Sequence, residues 1–188
     1  MSDGLRFIIN SLLAVVGALM LTTAEGGDRN ILPPELRSFS SPSGAYVFEV
    51  RTVDAWKSPQ SRVELFAVNA DARRSCWAAV LPHRYGPGTA FVSDTGHVLL
   101  IDEWMKTLSD SAIMLYAKNG TLIIRHSVSD IETVSGVHRA DLATRAHAGA
   151  WMSAPPKLSP SHDAVLLEGG GVPLVVNLLT GLLERAGQ

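Results

Sequence analysis

The chain has 188 residues, 46% of them apolar and 18% charged, with a formal net charge of −2. That length supports one domain with a real core, and that composition excludes a disordered chain. The slight acidity argues against a protein built to hold nucleic acid, which carries a strong basic surplus. The only adjacent basic pair, Arg73-Arg74, reads as turn solvation.

The first segment, residues 1–24, has a basic start at Arg6, an apolar middle (IINSLLAVVGALML) and a small-residue exit at Thr22 and Ala24. These are the parts of a secretory signal peptide, with a cut before Glu25. The apolar stretch falls short of the ~20 residues that span a bilayer. Cleavage is therefore favoured, and an uncleaved anchor is the alternative. The chain is expected to be exported, to the periplasm or beyond, and to touch a membrane only through this segment if it stays attached. Residues 25–37 are polar, with Pro33-Pro34 disfavouring a helix, and read as a linker before a single domain at 38–188.

From Ser38 onward, short apolar runs alternate with turn residues, which is the strand signal. AYVFEVRTV (45–53), RVELFAV (62–68) and SCWAAVL (75–81) come first. The single cysteine, Cys76, lies in the last of these, so no internal disulfide can form. It reads as a small buried hydrophobe. TAFVS (89–93), HVLLIDEW (97–104), AIMLYAK (112–118) and TLIIRHSV (121–128) follow. Asn119-Gly120 predicts a type I′ hairpin between the last two. Residues 129–149 break the pattern, and Ser129 with Glu132 fits a capping box. One or two short helices are predicted there. WMSAPPKLS (151–159), AVLLEG (164–169), PLVVNLL (173–179) and GLLERA (181–186) return to β.

Three stretches align: SPSGAYVFEV at 41–50, SDTGHVLLID at 93–102 and SPSHDAVLLE at 159–168. Each is followed by a second hairpin. The Ser anchors (Ser41, Ser93, Ser159) are 52 and 66 residues apart, and the larger gap absorbs the helical insertion. The predicted fold is all-β: three roughly four-stranded antiparallel blade-like units, a partial or small propeller-like array, with a short helical insertion. The Ser-Pro-x-Gly turn, apolar strand and following hairpin resemble the blades of bacterial secreted propeller-repeat proteins, the TolB-like and WD-repeat-like families. The resemblance covers about 35–186 and implies no activity. Closed propellers have about four to eight blades. With three units visible, a divergent sheet from 25–40, an unclosed packing or a pairing of chains would each reconcile the count. An unclosed array leaves edges to cover, so a protein partner or self-association is expected.

Candidate chemistry is sparse. Asp102-Glu103-Trp104 could hold a cation or a sugar, but adjacent strand residues point to opposite faces, so the two acids are not expected to act as a pair. Trp56 and Trp104 both sit just beyond the first strand of a repeat (VDAW and IDEW) and would lie near one rim. With His97 these five residues form the candidate binding rim, against a reading of repeated core packing and a solvated strand end. The six histidines show no close metal spacing, no nucleophile motif is present, and Gly169-Gly170-Gly171 opens no helix that could bind phosphate. No metal, cofactor or catalytic residue is assigned. The favoured function is a non-catalytic binding or scaffold module, with protein–protein interaction first. The alternatives are an envelope hydrolase or lyase with its site near Asp102, and a purely structural role.

Overall fold

The computed structural model describes residues 31–70 and 72–187; the predicted signal segment at 1–24 lies outside them. Among the described residues the chain forms three four-stranded sheets. The first holds β1 (Leu36–Ser40), β2 (Tyr46–Thr52), β3 (Ser61–Asn69) and β4 (Ala72–Val80). The second holds β5 (Pro87–Val92), β6 (Val98–Glu103), β7 (Ile113–Tyr116) and β8 (Leu122–His126). Two helices, α1 (Val128–Ser135) and α2 (Arg139–Thr144), lead to the third sheet, β9 (Lys157–Leu158), β10 (Ala164–Gly169), β11 (Val172–Asn177) and β12 (Leu183–Arg185). Chain order is spatial order in every sheet, and every neighbouring pair is antiparallel. The protein is thus an all-β chain of three meanders with a short helical insertion. β1 starts inside the stretch read as linker, with Leu36 paired to Arg51 and Arg37 to Val50.

The repeated Ser phrase is one turn used three times. Ser41, Ser93 and Ser159 each accept a backbone bond from the residue three places on, Gly44, Gly96 and His162, at 2.9–3.0 Å. That fourth residue has positive φ in all three copies: 73°, 84° and 60°. Each Ser side chain is buried and accepts from a backbone N–H at the start of the next strand, of Tyr46, His97 and Ala164. The second hydroxyl of each phrase, on Ser43, Thr95 or Ser161, bonds the first. The Ser is therefore an acceptor that closes the turn, and Gly at the fourth place supplies the left-handed backbone.

Two local expectations are corrected. The 117–121 hairpin is not type I′: Gly120 has φ 84°, Asn119 does not take positive φ, and the Gly120 N–H donates to Ala117 O at 2.9 Å. This is a type I turn followed by a glycine bulge, and a second irregularity, at Ile123, breaks the register further along, between Leu115 and Tyr116. The capping box of α1 is Ser127 with Asp130 rather than Ser129 with Glu132. In the third unit the stretch WMSAPPKLS keeps only the two-residue β9 and one bridge, Met152 to Gly169. Pro155 and Pro156 have no N–H to give a ladder.

The middle sheet is packed on both faces, and every residue of β6 and β7 is buried. Val98, Leu100 and Met114 join Phe48, Val50 and Leu65 of the first sheet. Leu99, Ile101, Ile113 and Leu115 join Val165, Leu167 and Leu174 of the third, together with Ile131 and Leu142 from the helices. Each such side chain contributes about 1.5–3 kcal/mol by leaving water. The outward face of the first sheet is charged instead: Arg51 and Arg73 both grip Glu49, and Arg73 lies over Phe66 at 3.7 Å. No helix among the described residues is long and apolar enough to cross a membrane.

Candidate functional site

A meander fixes which loops share an end. The three Ser turns lie at one end, with the hairpins near 70, 119 and 180. The opposite end gathers the loops 53–60, 81–86, 104–112 and 169–171 and the long connection 127–156. Backbone strain collects at this second end. Ala55, Trp56, Tyr85, Asp102 and Lys106 all have φ between 53° and 62°, a region that residues with a Cβ seldom adopt. Strain of this kind marks sites that the surrounding structure holds in place.

Asp102 is the centre of the group. It is the penultimate residue of β6, is 2% exposed and has φ 54°. Its Oδ2 accepts the Ala150 N–H at 2.7 Å. Gly149 has to be glycine for this approach, because a Cβ there would collide with Asp102 Oδ2. Burial pushes the Asp102 carboxyl up to about 7. The Ala150 N–H and the nearby Trp151 indole oppose the rise, as does Lys106, while Glu103 adds to it. The Trp151 Nε1 is itself buried without a partner among the described residues.

Asp102 and Gly149 line a cleft of about 510 Å³. β6 and the loop after it give Ile101, Asp102, Glu103, Trp104, Met105 and Lys106. β5 gives Gly88 and Thr89, and the connection before the third sheet gives Ala148, Gly149, Met152, Pro155 and Pro156. Glu103, 8% exposed, accepts from Thr107 Oγ1 at 2.9 Å, and the Trp104 indole donates to Ile31 O at 2.7 Å. The expectation that Asp102 and Glu103 face apart, with one acid solvated, is overturned. Asp102 has left-handed φ, neither acid is solvated, and both residues line one cleft.

Of the other rim candidates, Trp56 is at the same end but buried, with its ring 5.7 Å from Tyr85. Arg37 connects this cluster to the cleft. Its guanidinium donates to Tyr85 O at 3.3 Å and Pro87 O at 2.6 Å and lies 4.8 Å over the Trp104 ring. Desolvation lowers its pKa to about 10. His97 is at the Ser-turn end, half-buried, with its pKa lowered by desolvation. It lines a shallow groove of about 460 Å³ with Arg74, Cys76, Lys118 and Asn119. The five candidates are therefore not one rim: Asp102, Glu103 and Trp104 line one cleft, Trp56 packs on Tyr85 and His97 lines a different groove.

Sequence reading missed Gly149, Ala150, Met152, Arg37 and Lys106. A Gly-Ala-Trp-Met run directly after a helical insertion was the one available signal, since small residues there admit a close approach. Among the described residues no three His, Cys, Asp or Glu side chains are grouped to hold a metal ion. No family model matches the chain, and no curated protein shows significant similarity to it.

Proposed function

We propose that the protein is an exported binding module whose cleft takes a small, largely apolar molecule and holds its polar group at Asp102. One observation carries the reading: a strained, buried carboxyl lines a cleft of about 510 Å³ whose other walls are mostly apolar. A concave apolar pocket with a few convergent polar groups is the usual form of a small-molecule site. Export is supported by the basic, apolar and small-residue order of residues 1–24. The shared strand order and the three equivalent Ser turns support reading the sheets as blade-like units.

A hydrolase or lyase is the second reading, favoured by the position of the Asp102 pKa near neutrality, where a general acid works best. Binding is preferred because the bond fixing Asp102 comes from a backbone N–H and not from a nucleophile. A protein partner has its best support elsewhere. Leu122 and Ile123 are exposed on edge strand β8, and Leu179 and Leu182 on the turn that His126 reaches through its 2.8 Å contact with Gly181 O.

The test is a fragment titration of the full chain followed by backbone NMR. Shifts confined to residues 101–106 and 148–156, lost in Ala148→Trp, support the cleft. Shifts elsewhere, or binding unchanged by Ala148→Trp, overturn it. Conversion of a bound fragment in the same samples would establish the second reading.

A further inference from the structure

We propose that the cleft selects a cation: an organic amine or quaternary ammonium with an apolar body, its charge set against the Asp102 carboxylate. The inference rests on the reading of this cleft as a ligand pocket.

The charges facing the cleft are uneven. β6 brings two carboxyls, Asp102 and Glu103, and the loop after it brings one cation, Lys106. β5 contributes Gly88 and Thr89, and the segment from Ala148 to Pro156 lines the cleft with no titratable side chain. The lining itself is therefore acidic between apolar walls, with Arg37 of β1 as a second cation beside it, held over Trp104 and on the Pro87 and Gly88 carbonyls. Asp102 spends Oδ2 on the Ala150 N–H, and Oδ1 has no protein partner among the described residues. A buried carboxylate with one oxygen unpartnered gains most from a ligand that brings charge as well as a donor. A neutral ligand would strip water from Glu103 and give nothing back. Trp104 adds an aromatic wall, and its ring already has one cation, Arg37, 4.8 Å from its centroid.

Proton linkage follows. Because burial holds the Asp102 carboxyl near 7, a cation that needs the carboxylate must displace a proton below that pH. A permanently charged ligand should bind about thirtyfold more weakly at pH 5.5 than at pH 8.5, roughly tenfold per pH unit below the carboxyl pKa.

The experiment uses the full chain and three benzyl probes: benzyltrimethylammonium, its uncharged isostere neopentylbenzene, and the anion phenylacetate. Affinities are read by NMR shift titration at pH 5.5, 7.0 and 8.5. The expected result is tightest binding of the ammonium at pH 8.5, the stated loss at pH 5.5, and no comparable pH dependence for the isostere. Asp102→Asn keeps the acceptor for Ala150 and suits positive φ; it should weaken the ammonium and flatten its profile. The pH series on the unaltered protein reads the same linkage if that variant does not fold. Equal or tighter binding of the isostere or phenylacetate in the cleft overturns the cation assignment and leaves the pocket. An ammonium affinity that ignores pH also overturns it. Failure of all three probes to reach the cleft counts against the pocket itself.

Discussion

The Ala150 N–H donates to Asp102 Oδ2 at 2.7 Å across 48 positions of sequence, tying the end of the second sheet to the segment that leads into the third. The bond exists because residue 149 has no side chain. Gly149→Ala would drive a Cβ into Asp102 Oδ2 and against Met152 Cε, a buried side chain. Overpacking of this kind costs about 1–3 kcal/mol. Urea unfolding of Gly149→Ala should show a loss in that range, and the Ala150 amide should lose its protection from hydrogen exchange. A variant as stable as the parent would mean that the 148–152 segment is not held on the carboxyl.

Stability against pH should hide two opposed groups. Burial raises Asp102 to about 7, so its contribution is full below the unfolded value near 4 and is lost as pH rises through 7. His83 is buried, with Nε2 3.1 Å from Ser111 O, and desolvation lowers its pKa to about 4. Its contribution is present above 6.5 and is lost as pH falls through 4. Between pH 4 and 6.5 the slopes have opposite sign, and the unaltered protein should be nearly flat. Asp102→Asn should become more stable as pH rises across that window, and His83→Gln less stable, by a few kcal/mol in each case. Chemical denaturation of the three proteins at pH 4.5, 5.5, 6.5 and 7.5 decides it. Parallel profiles would show that neither group titrates as the burial requires.

Arg37 holds the rim of the cleft through three backbone carbonyls, those of Tyr85, Pro87 and Gly88, while lying over Trp104. A lysine has the charge but not the planar fork that reaches several carbonyls at once. Arg37→Lys should therefore lose about as much stability as Arg37→Met, on the order of 2 kcal/mol, because both leave carbonyls unpaired. The Trp104 emission should change in both. Full retention of stability in Arg37→Lys would reduce the role of Arg37 to charge alone.

The three-unit β architecture was legible because its signals are local. Strand periodicity, turn residues and the Ser phrase each act within ten residues, and β2, β6 and β10 begin where the Ser turn of that phrase ends. The cleft was not legible in the same way. It depends on one left-handed backbone angle, at Asp102, that strand periodicity does not foretell. It also depends on a bond to Ala150 that no sequence spacing announces. Trp56 and Trp104 occupy matching places in their units, and both went to one end, but packing made Trp56 a buried partner of Tyr85. His97 follows a Ser turn, and every Ser turn lies at the end away from the cleft, so its separation from Asp102 is a consequence of the meander itself.

The Ser phrase gives the most direct test of the repeat. Ser41, Ser93 and Ser159 are buried, and each accepts the N–H of the strand that follows it. Replacing any one by Ala should cost about 1–2 kcal/mol, since a buried donor loses its partner. The fourth position sets the copies apart. Gly44 and Gly96 sit at φ 73° and 84° at no steric cost, whereas His162 is held at 60° with a Cβ. His162→Gly should therefore stabilise the protein by up to about 1 kcal/mol, and Gly96→Ala should destabilise it by at least as much. A Cβ at residue 96 would also lie 3.0 Å from the Tyr46 ring. Thermal unfolding of the two variants should move in opposite directions. If His162→Gly lowers the midpoint, the third turn is held by contacts of the imidazole, and the three copies are not equivalent.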